Sequence, residues 1–230
     1  MFQLDHVVPW GRSFDEYCRM FALIDSDLGR RIVGCGDGPA AFNADATRKG
    51  HRVVSCDPLY RFDAAQIDAR IAVTYGQVLE QTRQHAGAFV WGDGVRTVEE
   101  LGTVRMAAMR TFLADYEAGS RDGRYVDAEL PSLPFADGAF DLALCSHFLF
   151  LYSAHVDEAF HRAALREMCR VAAEVRVFPL VTLDGARSPF VDACVSDLIA
   201  SGSVVAIERV PYEFQRGANE MLRVTRRAAR

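Results

Sequence analysis

Four short clusters in this chain have residue types and spacing that could do chemistry. The first is Gly34-Cys35-Gly36-Asp37-Gly38, directly after the expected strand 31–33. Glycines there let the chain turn sharply and let a ligand approach the backbone with no Cβ in the way. A helix opening behind them would offer free N–H groups and partial positive charge. The second is Asp57-Pro58, about twenty residues further on, after the β-branched run 51–56. A carboxylate at that interval can accept hydrogen bonds from both hydroxyls of a ribose. The third is Asp127-Ala128, where a carboxylate can accept from an adenine amino group and the main chain of Ala128 can serve the ring nitrogens. The fourth is Cys145-Ser146-His147, at the end of the expected strand 140–145. His147 is the candidate general base there, and Cys145 a candidate pocket-lining side chain. Together the clusters describe a nucleoside-binding crevice beside an imidazole.

The spacing argues against a dinucleotide. In a G-x-G-x-x-G fingerprint the third glycine packs a helix closely on a strand. Here that place falls on Pro39. A metal centre is not expected either: His155 and His161 are six residues apart, on different faces of a helix, with no matching Cys or Asp arrangement.

Helical and strand signals alternate around these clusters, the pattern of an α/β fold with a mostly parallel sheet. Ser13 with Glu16, Asp63 with Gln66 and Thr97 with Glu100 each have capping-box spacing. Pro39 suits the first turn of the helix behind the glycines, Gly50 its stop, and Gly119 the stop of the helix opened by Thr97. Strands are expected at 31–33, 51–56, 124–126, 140–145 and 174–180. Two more, 204–210 and 220–226, are separated by a turn at 217–219, which implies an antiparallel pair at the sheet's end. The 70 residues between Asp57 and Asp127 far exceed one crossover helix. A helical insertion at about 61–120 is therefore expected. It either caps a substrate site, with Trp91 and neighbouring aromatics as wall, or acts as a buttress or dimer interface.

The chain has 230 residues and a net charge of −5, which fits one domain and argues against nucleic acid as an obligatory partner. Its six cysteines are scattered, with no C-x-x-C pair, so reduced thiols in a cytoplasmic setting are expected. Cys35 and Cys56 read as small buried fillers. No signal peptide or membrane span is expected.

Taken in order, VGCGDGPAAF, VVSCDPLY and YVDAELPSLPFADGAFDLALCSHFLF resemble the class I S-adenosylmethionine-dependent methyltransferases. The resemblance covers roughly residues 31–60 and 125–177. It implies a three-layer αβα sandwich on a seven-stranded, mostly parallel sheet whose last strand is antiparallel. It also implies S-adenosylmethionine as cofactor, held by Gly34, Cys35, Gly36, Gly38, Asp57, Pro58, Asp127, Ala128 and Cys145. Methyl transfer to an acceptor beside His147 follows from the same likeness. The chain lacks the Asn-Pro-Pro-Tyr type of segment carried by many methylases of base or glutamine amines, which favours a small-molecule acceptor. Two features depart from the pattern. Ile32 stands where the family usually has an acid that anchors the cofactor's ammonium, and Ala172-Ala173-Glu174 replaces a glycine turn before the fifth strand. The segment Trp10-Gly11-Arg12-Ser13 could fold over the cofactor, with Arg12 at its carboxylate end. Two alternatives stay open: an NAD(P)-dependent oxidoreductase, if Pro39 is tolerated, and a cofactor-binding protein without catalysis, which Ile32 keeps alive.

Overall fold

The computed structural model describes residues 8–92 and 94–226. Seven strands form one sheet in the order β3-β2-β1-β4-β5-β7-β6. They are β1 (Arg31–Cys35), β2 (Arg52–Cys56), β3 (Tyr125–Val126), β4 (Phe140–Ser146), β5 (Ala172–Phe178), β6 (Ser203–Arg209) and β7 (Glu220–Arg226). β7 runs antiparallel to both of its neighbours, while the pairs formed among β1 to β5 are parallel. The expected mixed sheet with an antiparallel last strand is therefore present.

Side chains alternate across the central strands. Val33, Cys35, Ala143, Cys145, Val175 and Val177 face one layer, made by α6 (Glu158–Val171) and α7 (Val191–Ala200). Ile32, Val53, Leu142 and Leu144 face the other, where α1 (Phe14–Met20), α2 (Asp25–Leu28) and α3 (Phe42–Arg48) pack. Both faces are covered, as a parallel sheet requires. Each fully buried Leu, Val or Met here contributes about 1.5–3 kcal/mol relative to exposure.

The insertion is two long helices, α4 (Ala64–Gln84) and α5 (Val98–Arg121), between β2 and β3. α5 packs against α3 and β3, and α4 packs on α5. Ile67, Ile71, Met109, Phe112 and Tyr116 close around Tyr60 and Tyr125. Ser13 and Asp63 form the expected capping boxes. Thr97 caps α5 through Glu100 N, but the Glu100 carboxylate accepts from Arg96 N, one residue before the cap.

Several boundaries differ from the sequence expectation for local reasons. α3 begins at Phe42, three residues after Pro39, because the turn continues through residues 37–41 and Ala41 N donates to Arg12 O. Gly119 lies inside α5, which ends at Arg121. A Cβ there would sit 2.4 Å from the Tyr125 ring, so the glycine admits an aromatic rather than stopping the helix. β5 starts at Ala172 instead of 174 because α6 runs straight into it, and no glycine turn is needed.

Candidate active site

A cavity of about 770 Å³ opens over the C-terminal ends of β1, β2 and β4. The strand order reverses between β1 and β4, which is where open α/β sheets bind ligands. The size suits a small-molecule site. One end is made by Gly36, Asp37, Gly38, Asp57 and Pro58, and the other by Val78, Thr82, Phe89, Leu151, Leu183 and Phe214.

The glycine turn works through shape. Gly36 (φ +71°) and Gly38 (φ +53°) take the left-handed conformation, and a Cβ on Gly36 would sit 3.0 Å from the Phe148 ring. Two N–H groups of the turn itself are used within the protein. Gly36 N donates to Cys56 O at 2.8 Å, and Gly38 N donates to Asp57 Oδ2 at 2.8 Å. Tyr60 closes the turn from below, its hydroxyl donating to Gly38 O.

Three carboxylates line this end. Asp57 accepts from Gly38 N through one oxygen and from Leu59 N through the other. Each oxygen keeps a further lone pair for a ligand hydroxyl. Burial raises the Asp57 pKa to about 6 despite those hydrogen bonds. Asp37 is 7% exposed and accepts from the Tyr17 hydroxyl at 2.8 Å and the Ser55 hydroxyl at 2.6 Å. Its pKa is likewise raised to about 6, chiefly by burial. Glu129 stands at the rim.

His147 follows β4 in a left-handed conformation (φ +51°) and lines the cavity. Left-handed non-glycine residues cost energy and cluster at functional sites. Its Nδ1 lies 3.0 Å from Ser146 Oγ. Ser146 can donate onward to Met20 Sδ at 4.0 Å. In the tautomer with Nδ1–H donating to Ser146, Nε2 carries the available lone pair. Burial, with the Arg12 and Arg105 charges nearby, holds the imidazole well below its usual pKa, so it is neutral.

Beside it lies a buried charge cluster. Arg105, on α5, donates two hydrogen bonds to Glu16 at 2.6 and 2.7 Å, and Tyr212 donates a third at 2.9 Å. The guanidinium holds the Glu16 carboxylate well below its usual range. Arg12 lines the cavity and donates to Trp10 O, and its Nε is buried with no partner among the described residues.

Residues 104–175 match a family model described as a methyltransferase domain. An uncharacterized protein of Methanocaldococcus jannaschii is 30% identical over 97% of this chain and 98% of its own. The chain belongs to one family with that archaeal protein and carries a methyltransferase domain of the class I, Rossmann-like type. Two solved structures similar to it are magnesium protoporphyrin IX methyltransferase from Synechocystis PCC 6803 with bound SAM and an O-methyltransferase family protein from Burkholderia thailandensis. The first is 12% identical, with a TM-score of 0.45, covering 88% of this chain and 73% of that one. The second is 12% identical, with a TM-score of 0.45, covering 87% and 52%.

The class I motifs are only partly brought to the cavity. Gly36, Gly38, Asp57, Pro58 and His147 line it. Gly34, Cys35, Asp127, Ala128 and Cys145 do not. Gly34 lies within β1, with the Asp37 carboxylate folded against its Cα. Cys35 and Cys145 point into the core toward α6, and burial pushes both thiols up in pKa. Asp127 is exposed and stands 3.7 Å from Arg61, while Ala128 packs against the core. Glu129, two residues further on, occupies the cavity rim instead. Trp91 does not line the cavity. It packs edge-on against Phe89 and Phe214, which do. Asp37 was recognisable as part of the glycine turn but not as a cavity carboxylate. Arg105 was hidden by its charge, on a helix face otherwise read from its apolar residues.

Among the described residues no helix is long and apolar enough to cross a membrane. Among them, too, no group of three His, Cys, Asp or Glu is placed to hold a metal.

Proposed function

We propose that the protein transfers a methyl group from S-adenosylmethionine to a small-molecule acceptor inside this cavity. The carrying observation is that one continuous enclosure runs from Asp57 and the glycine turn to the apolar wall of Phe89, Leu151, Leu183 and Phe214. A nucleoside cofactor fits one end and leaves an apolar compartment at the other. The fit is supported by a carboxylate with lone pairs facing the cavity and by an enclosed guanidinium with an unpaired Nε.

The sulfonium supplies an already activated methyl group, so the protein's own tasks are alignment and exclusion of water. Asp57 accepts from the ribose hydroxyls. The α4 residues Val78 and Thr82, with Phe89 and Phe214 opposite, shield the acceptor. His147 accepts the acceptor's proton at Nε2. A neutral imidazole of lowered basicity suits an acceptor whose proton is itself acidic, such as a phenol or enol. The insertion is proposed to form the acceptor compartment, in keeping with α4 lining it.

Calorimetric titration with S-adenosylhomocysteine and, separately, with NADH tests the cofactor. Binding of the former with no heat from the latter is expected. The reverse pattern would transfer the site to an oxidoreductase.

A further inference from the structure

Among the described residues, two charges at the glycine-turn end of the cavity, the half-buried Arg12 and the buried Asp37, lack oppositely charged partners. Arg12 spends one N–H on Trp10 O, its Nε is unpaired, and among the described residues no carboxylate is within ion-pairing distance of it. The neighbouring Glu16 is fully engaged by Arg105, Tyr212 and Ser13 N. Asp37 takes hydrogen bonds from two neutral hydroxyls, Tyr17 and Ser55, and no cation pairs with it among the described residues. Both side chains line the same cavity, and Tyr17 feels the charge of each. Unpaired buried charges are costly, so a cavity that keeps one of each sign is matched to a ligand that is itself a zwitterion.

We infer that Arg12 and Asp37 form a split site for an α-amino-acid group, Arg12 taking its carboxylate and Asp37 its ammonium. A planar guanidinium matches a carboxylate through paired N–H donors. This inference rests on the cofactor reading proposed above, because the amino-acid end of S-adenosylmethionine is such a group. It also accounts for Ile32. The position that would carry an acid is buried and apolar at 1% exposure. The Asp37 carboxylate instead folds back over Gly34, two residues further along β1, where a Cβ would lie 1.8 Å from it. The turn thus supplies the anion, and glycine at 34 makes room for it.

The test compares two ligands that share the nucleoside and thioether. S-Adenosylhomocysteine carries the amino-acid end and 5′-methylthioadenosine lacks it. Each is titrated into the wild-type protein and the Arg12→Leu, Arg12→Lys and Asp37→Asn variants. Arg12→Leu and Asp37→Asn are each expected to weaken S-adenosylhomocysteine at least tenfold and to leave methylthioadenosine within twofold. Arg12→Lys, which keeps the charge without the planar fork, should recover part of the loss. Parallel loss of both ligands would mean a structural role and overturn the assignment. So would unchanged S-adenosylhomocysteine affinity, or a wild-type protein that binds the two ligands equally. A wild-type protein that binds methylthioadenosine but not S-adenosylhomocysteine overturns this inference alone, and one that binds neither also removes the cofactor reading beneath it.

Discussion

Asp57 has two tasks. It braces the turn through Gly38 N and Leu59 N, and it offers its remaining lone pairs to the ligand. Asp57→Ala should weaken S-adenosylhomocysteine by about 2 kcal/mol, since two charge-assisted hydrogen bonds are lost. That is about 30-fold in Kd by calorimetry, and unchanged affinity would remove Asp57 from the site. The titration of Asp57 and Asp37 gives a pH signature. Both pKa values rise from 3.8 to about 6 on folding. The folded state therefore binds more protons than the unfolded one between those values. The associated stability is fully present below about pH 4 and is lost as pH rises through 6. The loss is on the order of 3 kcal/mol per group by pH 7. Urea unfolding at pH 5 and 7 should show a smaller drop between the two pH values in Asp37→Asn and Asp57→Asn than in the wild type. Equal drops would contradict the burial of these carboxylates. Binding has the opposite sign: because the ionised carboxylates accept from the ligand, its affinity should rise with pH through 6.

At the scale of elements, α1 and α5 are pinned together by Glu16 and Arg105 across 89 residues of sequence. The same pair sets the electrostatic surroundings of Arg12 and His147. Removing one partner of a buried ion pair leaves the other uncompensated, at a cost of about 3–5 kcal/mol. Arg105→Leu should lower chemical-denaturation stability by that amount. The same change at the exposed Arg166, paired with Asp197 at the surface, should cost about 1 kcal/mol or less. If the two cost the same, the cluster does not hold α1 in place. The elements themselves were largely legible in the sequence. Caps at Ser13 and Asp63, β-branched strands and the Gly217 turn are local signals, and local interactions form them. Two of the misplaced boundaries share a cause. Gly119 and Pro39 were read by local propensity, but Tyr125 packing and the Ala41–Arg12 backbone contact decide their roles, and propensity registers neither contact. The site was legible where it is backbone, at Gly36, Gly38 and Asp57. It was not legible where long-range contacts aim the side chains, as at Asp37 and Glu129, whereas Arg12, read in the sequence as folding over the cofactor, does line the cavity. Asp127 is exposed and pairs with Arg61, which itself lines the cavity, so it stands beside the lining and not in it.

For the molecule as a whole, the insertion is stitched to the distant end of the sheet. Val90 N donates to Phe214 O, Arg216 N donates to Ala88 O, and Phe89 stacks on Phe214 at 4.9 Å. The cavity is thus closed by segments on either side of β1, β4 and β5, and ligand should tighten both. With S-adenosylhomocysteine present, amide exchange should slow in residues 36–38, in α4 and at 214–215, and stay unchanged in α7 and β6, which lie on the far side. Protection confined to α7 and β6 would place the ligand elsewhere. The most direct test of the central claim is a crystal structure with S-adenosylhomocysteine. The expected density lies across the ends of β1, β2 and β4, with both ribose hydroxyls within hydrogen-bonding distance of the Asp57 carboxylate and the sulfur facing His147. Density at another site, or a ribose out of reach of Asp57, would contradict it.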